Sequence, residues 1–442
     1  MKDFFGEDAL LGSKAAQELY RKVKDLPIID YHCHLDARMI KNDATFSDIG
    51  ELWLKGDHYK WCAMRQCGVD EEFITGGASW HDKFLQYAKI VPALAGNPLY
   101  YWTHMELKRI FKITLPLNAD TAEKIYRAAN AKLKTLSVQK ILKDFGVKFI
   151  ATTDDPADDL SAHGKYGDTL VAPTFRPDKL FSLDGDYLTR LEGAANMKIN
   201  ALDDLLTVLK KRLDFFVSKG CRIADHAFEF FPRRYASQAE AARIFAARKT
   251  ASGEEKDAFF GFLIVWLARE YARRKIAMQL HFGAMRNVNP TMHARCGVDS
   301  GFDILSEPPA VESVVRFLQQ IPDDERPDTL LYCLNDATLS SLAAITGAFR
   351  RVRMGAAWWF NDTVEGIRRN LSVISEYSVL GTYLGMLTDS RSFSSYCRFD
   401  FFRRILCDYI GALVEKGEYD GAAAEQFVEN ICYCNAKELV KL

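Results

Sequence analysis

Short apolar runs that end in polar residues recur along the chain, and they predict a series of β-strands. Most intervals between the runs have apolar residues three and four positions apart, the spacing of an amphipathic helix. Near-continuous apolar strands that alternate with such helices are typical of a parallel sheet covered by helices. The eight runs lie at residues 26–34, 147–156, 169–178, 220–228, 275–287, 329–335, 352–362 and 383–391.

Eight strand–helix units favour closure of the sheet into a barrel. In a (β/α)8 barrel the polar residues at the carboxyl ends of the strands line the active face. A doubly wound open sheet is the alternative, but no glycine-rich phosphate loop follows the first run. The pattern therefore predicts an α/β protein with a TIM-type barrel.

The interval between the first two runs is too long for one crossover helix. Residues 37–145 are rich in aromatic residues and show helix-like spacing of apolar positions. We interpret them as a helical insertion that caps the mouth of the barrel. The insertion belongs in this interpretation to one domain that spans residues 1–442.

Composition and charge narrow the class of protein. The 442 residues are 48% hydrophobic and 26% charged, with a formal net charge of −1, which is typical of a globular protein and argues against nucleic acid as the main partner. The first residues show no signal-peptide pattern, and no apolar run has membrane-spanning length. The ten cysteines lack paired spacing, which indicates reduced thiols. We therefore expect a cytoplasmic protein with a small-molecule partner, and a homo-oligomer is compatible with it.

The sequence IIDYHCHLD at residues 28–36 carries the first chemical signal. Alternate residues of a strand point to the same side, so His32 and His34 can chelate one divalent ion, while Cys33 points away. The third ligand is expected from Asp389 at the end of the eighth run, which closes the barrel beside the first; a helix cap is its alternative role. The predicted cofactor is one divalent metal ion, with zinc as the first expectation.

Two further polar residues end neighbouring runs. His281 ends the fifth run, where it is a further ligand, a hydrogen-bond partner of substrate or a buried core histidine. The fourth run offers Asp225 but lacks the lysine that bridges two ions in many binuclear sites. One metal ion is therefore the better prediction.

The sequence GDHYKW at residues 56–61 places His58 and Tyr59 within the insertion. A tyrosine has a reference pKa near 10, so a nearby cation is needed for it to act as a base. Arg391, two residues after Asp389, is the predicted cation. The alternative is a helical turn with a buried aromatic side chain.

Arginines at the ends of the predicted strands suggest an anionic substrate. The planar guanidinium of Arg176, Arg286 or Arg391 can bind a carboxylate through two hydrogen bonds. Each of them could instead form an ordinary salt bridge. Trp358, which precedes Trp359, could stack on a sugar or pack in the core.

Several stretches together resemble the uronate isomerase (glucuronate isomerase) family of the amidohydrolase superfamily. The combination of GDHYKW with TDSR is the most specific part of the resemblance, which covers nearly the whole chain. The resembling stretches are LPIIDYHCHLD, LWLKGDHYKWCAMRQCGVDEEFITG, GCRIADHAF, QLHFGAMRN and GMLTDSRSFSSYCRFDFFRR.

The resemblance implies a metal-containing barrel that interconverts D-glucuronate with D-fructuronate and D-galacturonate with D-tagaturonate in intracellular hexuronate catabolism. The residues that match the family's metal ligands are His32, His34 and Asp389. Those that match residues implicated in proton transfer are Tyr59 and Arg391. Those that fall in motifs lining the substrate site are His58, Arg176, Asp225 and His281.

Two other functions share part of this signal. A metal-dependent hydrolase of the same superfamily, acting on a lactone, an amide or a phosphoester, would have the same fold and histidine pair. GDHYKW and its arginines, which a water-activating hydrolase does not require, argue against it. A barrel that only binds uronates is the non-enzymatic alternative.

Overall fold

Eleven β-strands lie within residues 4–442, the part of the chain that the computed structural model describes. They are β1 Ile28–Asp30, β2 Val147–Ala151, β3 Gly164–Tyr166, β4 Thr169–Ala172, β5 Thr174–Phe175, β6 Ile223–Phe228, β7 Ala277–Phe282, β8 Ala284–Met285, β9 Ile304–Leu305, β10 Thr329–Cys333 and β11 Val352–Met354. One sheet has the order β1-β2-β4-β3 and another has the order β11-β10-β7-β6-β5, while β8 pairs with β9. Within the two larger sheets, the pairing of β3 with β4 is antiparallel and all other strand pairings are parallel.

Apolar runs explain why the central strands form. All residues of β7 and β10 are buried, as expected for parallel strands covered on both faces. The two larger sheets adjoin between β2 and β5, where the backbone N–H of Asp154 donates to the carbonyl of Thr174 over 3.0 Å. Seven of the eight predicted runs contain a strand of this parallel α/β structure.

The eighth run, residues 383–391, forms no strand in the described part of the chain, so this prediction is wrong in its secondary structure. Gly385 and Asp389 have φ values of +72° and +44°, which interrupt an extended backbone. The eighth run nevertheless lies beside residues 32–34, which follow β1. The N–H of Asp389 donates to the carbonyl of His32 over 3.1 Å, and that of His34 donates to the carbonyl of Ser390 over 3.0 Å.

Seven α-helices fill the interval between β1 and β2. Several begin at a serine or aspartate whose side chain accepts from the backbone of the first turn, as Asp57 does from the N–H of Lys60. The helices are α2 Ala37–Lys41, α3 Ile49–Leu54, α4 His58–Gln66, α5 Trp80–Ile90, α6 Pro98–Glu106, α7 Ala122–Leu133 and α8 Val138–Phe145.

The other helices precede β1, connect the later strands or follow the last strand. They are α1 Lys14–Val23, α9 Gly185–Ala195, α10 Leu202–Ser218, α11 Gln238–Ala246, α12 Gly253–Arg274, α13 Pro290–Cys296, α14 Val311–Gln319, α15 Leu339–Ala348, α16 Val364–Tyr377, α17 Cys397–Glu415, α18 Gly421–Glu429 and α19 Asn435–Val440. Short 3-10 and π-helical turns lie at Glu71–Phe73, Val91–Ala93, Leu107–Phe111, Asp178–Ser182, Asp336–Thr338, Leu380–Thr382, Phe393–Tyr396 and Asn430–Cys434. Among residues 4–442, no helix combines the length and apolar character that crossing a bilayer would require.

Candidate metal and substrate site

Three potential metal ligands meet directly beyond the carboxyl end of β1. Oδ1 of Asp389 lies 3.1 Å from Nε2 of His32 and 3.2 Å from Nε2 of His34. The two histidines lie in the irregular segment that follows β1, and Asp389 is held beside them by the backbone hydrogen bonds of the eighth run. The structure therefore brings the three predicted ligands together around one point.

The backbone and the second oxygen of Asp389 fix its carboxylate. Its φ of +44° is rare for a residue other than glycine, and such conformations cluster at functional sites. Nε1 of Trp358 donates to Oδ2 over 2.5 Å, which leaves Oδ1 for the histidines. The sequence placed Trp358 at the site but did not predict this contact.

Asp389 and His34 have the protonation states that suit a cation. For His32, burial lowers the pKa of the ring, but the carboxylates of Asp225 and Asp389 outweigh burial and raise the pKa. Although burial raises it, hydrogen bonds from His32 and His34 hold the pKa of Asp389 well below its usual value. Burial lowers the pKa of His34 to about 4, so its ring is neutral at pH 7. A neutral imidazole and an ionised carboxylate are the forms that bind metals. Donors about 2.0–2.1 Å from one ion lie roughly 3 Å apart, which is the distance from Oδ1 of Asp389 to each of the two histidine nitrogens.

A buried charged cluster lies next to the trio on β6 and β7. Nδ1 of His281 is 2.6 Å from Oδ1 of Asp225, whose Oδ2 is 3.3 Å from a guanidinium nitrogen of Arg176. Burial raises the pKa of Asp225, but Arg176, His281 and His32 outweigh it and hold the value well below normal. His32, Asp225 and His281 form a second set of closely spaced potential ligands.

Aromatic rings hold His281 in place. Its ring stacks on Tyr332 at a centroid distance of 4.2 Å and an interplanar angle of 20°, and Trp358 packs edge-on at 4.5 Å. Nε2 of His281 is buried and has no hydrogen-bond partner within the described residues. This nitrogen is therefore available to a ligand that approaches from the trio.

Residues of α4 also line the site. Nε2 of His58 lies 3.2 Å from a guanidinium nitrogen of Arg391, and Arg391 also lies 3.3 Å from Asp299. Burial and the charge of Arg391 lower the pKa of His58, so this ring is neutral at pH 7. Arg391, which the sequence analysis expected beside Tyr59, thus contacts His58.

The surroundings of Tyr59 differ from the prediction. The arginine against its ring is Arg398, whose Cζ lies 4.9 Å from the ring centroid, and not Arg391. The phenol donates to Oδ2 of Asp362 over 2.8 Å. Burial and the charge of Asp362 raise the pKa of Tyr59 well above 10, because Arg398 compensates only in part. The expectation that Arg391 makes Tyr59 acidic is wrong.

Asp362 and Arg398 are functional candidates that the sequence reasoning missed. Asp362 is the last residue of the seventh apolar run, so the rule that found polar residues at the ends of runs applied to it as well. Arg398 lies in the second residue position of α17, and nothing in its spacing marked it.

The three arginines predicted at strand ends have different partners. Arg176 lies between Asp225 and Asp178, at 3.3 Å from each, and 23% of its side chain is exposed. Arg286 has one acidic contact, Asp303 at 2.8 Å, and its side chain is 41% exposed. Arg286 therefore has the freer guanidinium group.

A cavity of about 450 Å³ unites these groups. All the predicted site residues except Asp225, which lies fully buried behind them, are among its lining residues. The volume suits a small-molecule ligand.

The family model described as glucuronate isomerase matches residues 1–440. The chain belongs to the glucuronate isomerase family. It is therefore an isomerase, and the hydrolase alternative is not favoured.

Relatives within the glucuronate isomerase family match over nearly their full length. The uronate isomerase of Caldanaerobacter subterraneus is 42% identical over 462 residues, which cover 99% of each chain. The structure of the Thermotoga maritima uronate isomerase superposes with a TM-score of 0.95 at 34% identity, and covers 99% of this chain and 100% of that one. The glucuronate isomerase of Caulobacter crescentus, at 24% identity, shares the fold with a TM-score of 0.94 over 99% of this chain and 97% of that chain.

Proposed function

We propose that this protein interconverts D-glucuronate with D-fructuronate and D-galacturonate with D-tagaturonate in hexuronate catabolism. The observation that carries the proposal is one cavity that holds a His–His–Asp trio, a phenol and several guanidinium groups. An aldose–ketose isomerase for uronates needs polarisation of sugar oxygens, a proton carrier between two carbons and a cation for the carboxylate. Family membership supports the same reaction.

His32, His34 and Asp389 would hold one divalent ion, and zinc is the expected ion because nitrogen and carboxylate ligands suit it. When bound, the ion would supply a Lewis acid for the carbonyl and hydroxyl oxygens of the sugar. Asp225 is already engaged by Arg176 and His281, which favours one ion over two.

The remaining groups have separate roles in the proposal. Tyr59 removes the proton at C2 and returns a proton at C1, as a general base and then a general acid. Arg391 keeps His58 oriented toward the sugar through their 3.2 Å contact. Arg286 binds the C6 carboxylate, since Arg176 is already shared by two aspartates. His281 and Trp358 line the floor beneath the sugar.

Asp389 assists the opening of the sugar ring before the carbon chemistry begins. The carboxylate is ionised, and its Oδ1 faces the histidines at the floor of the cavity. It can therefore accept the proton of the anomeric hydroxyl while the ring C–O bond breaks, and return that proton to the ring oxygen, which becomes a free hydroxyl.

For the architecture, we propose a (β/α)8 barrel in which residues 383–391 take the place of the eighth strand. The two backbone hydrogen bonds between this run and residues 32–34 support this closure. Residues 37–145 then cap the barrel mouth within a single domain, because α4 contributes His58 and Tyr59 to the cavity. The ten free cysteines fit the reducing cytoplasm as the place of action.

Incubation of the purified, metal-supplemented protein with each sugar tests the proposed function. D-glucuronate and D-galacturonate should each yield the matching keto acid, whereas D-glucose and D-galactose, which lack the carboxylate, should react at least about 100-fold more slowly by kcat/KM. A sugar lactone included in the same series tests the hydrolase alternative. Lactone hydrolysis without ketose formation from either uronate would contradict the proposal.

A further inference from the structure

Tyr59 lines the cavity and also contacts the carboxylate of Asp362. Its hydroxyl donates to Oδ2 of Asp362 over 2.8 Å. Asp362 lies on the loop between β11 and α16, whereas Tyr59 belongs to α4, so the contact joins the main sheet region to the helical insertion. This hydrogen bond joins two segments that are 303 residues apart in the sequence, so it forms only when the chain is folded.

Asp362 has a buried carboxylate oxygen that can bind a proton. The residue is only 3% exposed, and its Oδ1 is buried with no hydrogen-bond partner among residues 4–442. A second, smaller cavity of about 170 Å³ lies behind Tyr59 and includes Asp362 in its lining. A buried carboxylate oxygen without a partner is costly unless a proton or a water molecule serves it.

Arg398 balances the charge of this pair. It is 2% exposed, and one of its guanidinium nitrogens lies 3.7 Å from Oδ2 of Asp362. The same nitrogen donates to the carbonyl of Thr388 over 2.8 Å, directly before Asp389 in the chain. The guanidinium also packs on Trp102, 3.9 Å from the ring centroid, so its position is fixed.

We propose that Asp362 is a positioning residue for Tyr59 that accepts the phenol proton while Tyr59 takes the proton from the sugar. This inference rests on the proposed function. The phenol carries a proton in the resting site, because it donates to Asp362. It can act as a base toward carbon only if that proton leaves at the same time.

The step is balanced in protons and electrons. The C2–H bond breaks and its electron pair forms the C1–C2 double bond, while the carbonyl electron pair of C1 moves to O1, so the sugar becomes an enediolate with one negative charge. The proton of the C2 hydroxyl then passes to O1, which leaves the charge on the oxygen that becomes the ketone. The C2 proton binds the oxygen of Tyr59, and the earlier phenol proton moves to Oδ2 of Asp362. Reversal of the relay delivers one proton to C1 and restores Asp362 to its carboxylate form.

The groups around Asp362 set its response to pH. Tyr59 of α4 and Arg398 of α17 face it, and Asp389 adds a more distant negative charge. Burial raises the pKa of Asp362 to about 6, with Arg398 opposing the rise. Since the relay needs the carboxylate form, kcat/KM for glucuronate should rise with pH through this value.

Asp362→Asn tests the relay, because it keeps the size of the side chain and removes its ability to accept a proton. We expect kcat to fall at least about 100-fold, the usual loss for a general acid–base group, with KM changed less than threefold. The parent should show a decrease of kcat/KM below about pH 6, here called the acid limb, and this limb should be absent from the pH profile of the variant. A kcat within threefold of the parent, with the limb retained, would overturn the inference.

The chain offers a matched control. Tyr20 donates to Oδ1 of Asp400, and Nε of Arg404 donates to Oδ2 over 3.2 Å, so the same Tyr–Asp–Arg contact exists outside the cavity. Asp400→Asn should lower the thermal midpoint and leave kcat within twofold. If it lowers kcat as much as Asp362→Asn does, the effect is structural and the inference is wrong.

Two further results separate this inference from the proposed function. If the parent protein forms no ketose from either uronate, the proposed function fails. If the parent is active, the pH profile of Tyr59→Phe decides the inference even where Asp362→Asn does not fold. Loss of the limb near pH 6 in Tyr59→Phe supports the relay, and its persistence contradicts the relay.

Discussion

At the scale of single residues, charge pairing decides which groups of the site are ionised. Asp225 is fully buried, yet two cationic or polar partners contact its oxygens, Arg176 at 3.3 Å and His281 at 2.6 Å. Removal of one member of a buried ion pair leaves the other charge unpaired. Asp225 is therefore expected to contribute to folding stability as well as to the site.

Asp225→Asn should lower the free energy of unfolding at pH 7 by about 3–5 kcal/mol, the usual loss for breaking a buried pair. The folded-state pKa of Asp225 lies below the unfolded value of about 3.9, so the ionised group stabilises the protein above about pH 4. This contribution begins to decrease as the pH falls below about 4, and it is fully lost once the pH has passed the folded-state pKa. Urea unfolding of both proteins between pH 3 and pH 7 measures the difference.

Asp336→Asn is the control for that series, because Asp336 pairs with Arg369 at 2.6 Å with both side chains about half exposed. An exposed pair contributes only about 0–1 kcal/mol. Equal losses of unfolding free energy in the two variants at pH 7 would contradict the stabilising role of ionised Asp225. A loss for Asp225→Asn that is as large at pH 3 as at pH 7 would contradict it as well.

At the scale of elements, the site depends on how closely β11 approaches β10. A Cβ on Gly355, directly after β11, would lie 2.3 Å from Cε1 of Tyr332, whose ring supports His281. Cβ atoms do not approach other atoms this closely, so the ring or the backbone would have to move.

Gly355→Ala should therefore displace Tyr332 and His281, and destabilise the protein by about 1–3 kcal/mol. Gly193→Ala in α9 is the matched control, since no heavy atom lies within 4 Å of its added Cβ and alanine suits a helix better than glycine. Thermal unfolding and uronate turnover of both variants provide the test. A Gly355→Ala protein with unchanged midpoint and kcat would show that the close approach is unimportant.

The sequence predicted elements where local pattern alone decides them. The run at residues 275–287 forms β7, because a continuous apolar segment suits a strand buried on both faces. The eighth run has similar composition but no strand, since the left-handed backbone at Gly385 and Asp389 depends on contacts with residues 32–34. The His32–His34–Asp389 trio was predictable from alternation and the expected closure of the barrel.

The partner of Tyr59 was not predictable in the same way. Arg391 and Arg398 are both close to Asp389 in sequence, and only the packing of α17 against α6 puts Arg398 over Trp102 and Tyr59. Long-range contacts of this kind leave no periodic signal in the sequence. The identity of a positioning residue therefore required the structure.

At the scale of the whole molecule, three separate parts of the chain meet at the site. The first strand and the eighth run supply the trio, α4 in the insertion supplies Tyr59, and α17 near the end supplies Arg398. We therefore expect activity to require that all three parts are folded together. The central claim is that the trio holds one metal ion on which uronate isomerisation depends.

Metal content and isomerase activity, measured on the same samples, test this claim most directly. The purified protein, the chelated protein and the chelated protein given one equivalent of zinc are each analysed for bound metal and glucuronate turnover, with His34→Ala as a fourth sample. We predict about one ion per active chain, loss of metal and of at least about 99% of turnover on chelation, restoration by zinc, and little metal or activity in His34→Ala. Full turnover in the metal-free protein, or full metal content in His34→Ala, would contradict the account.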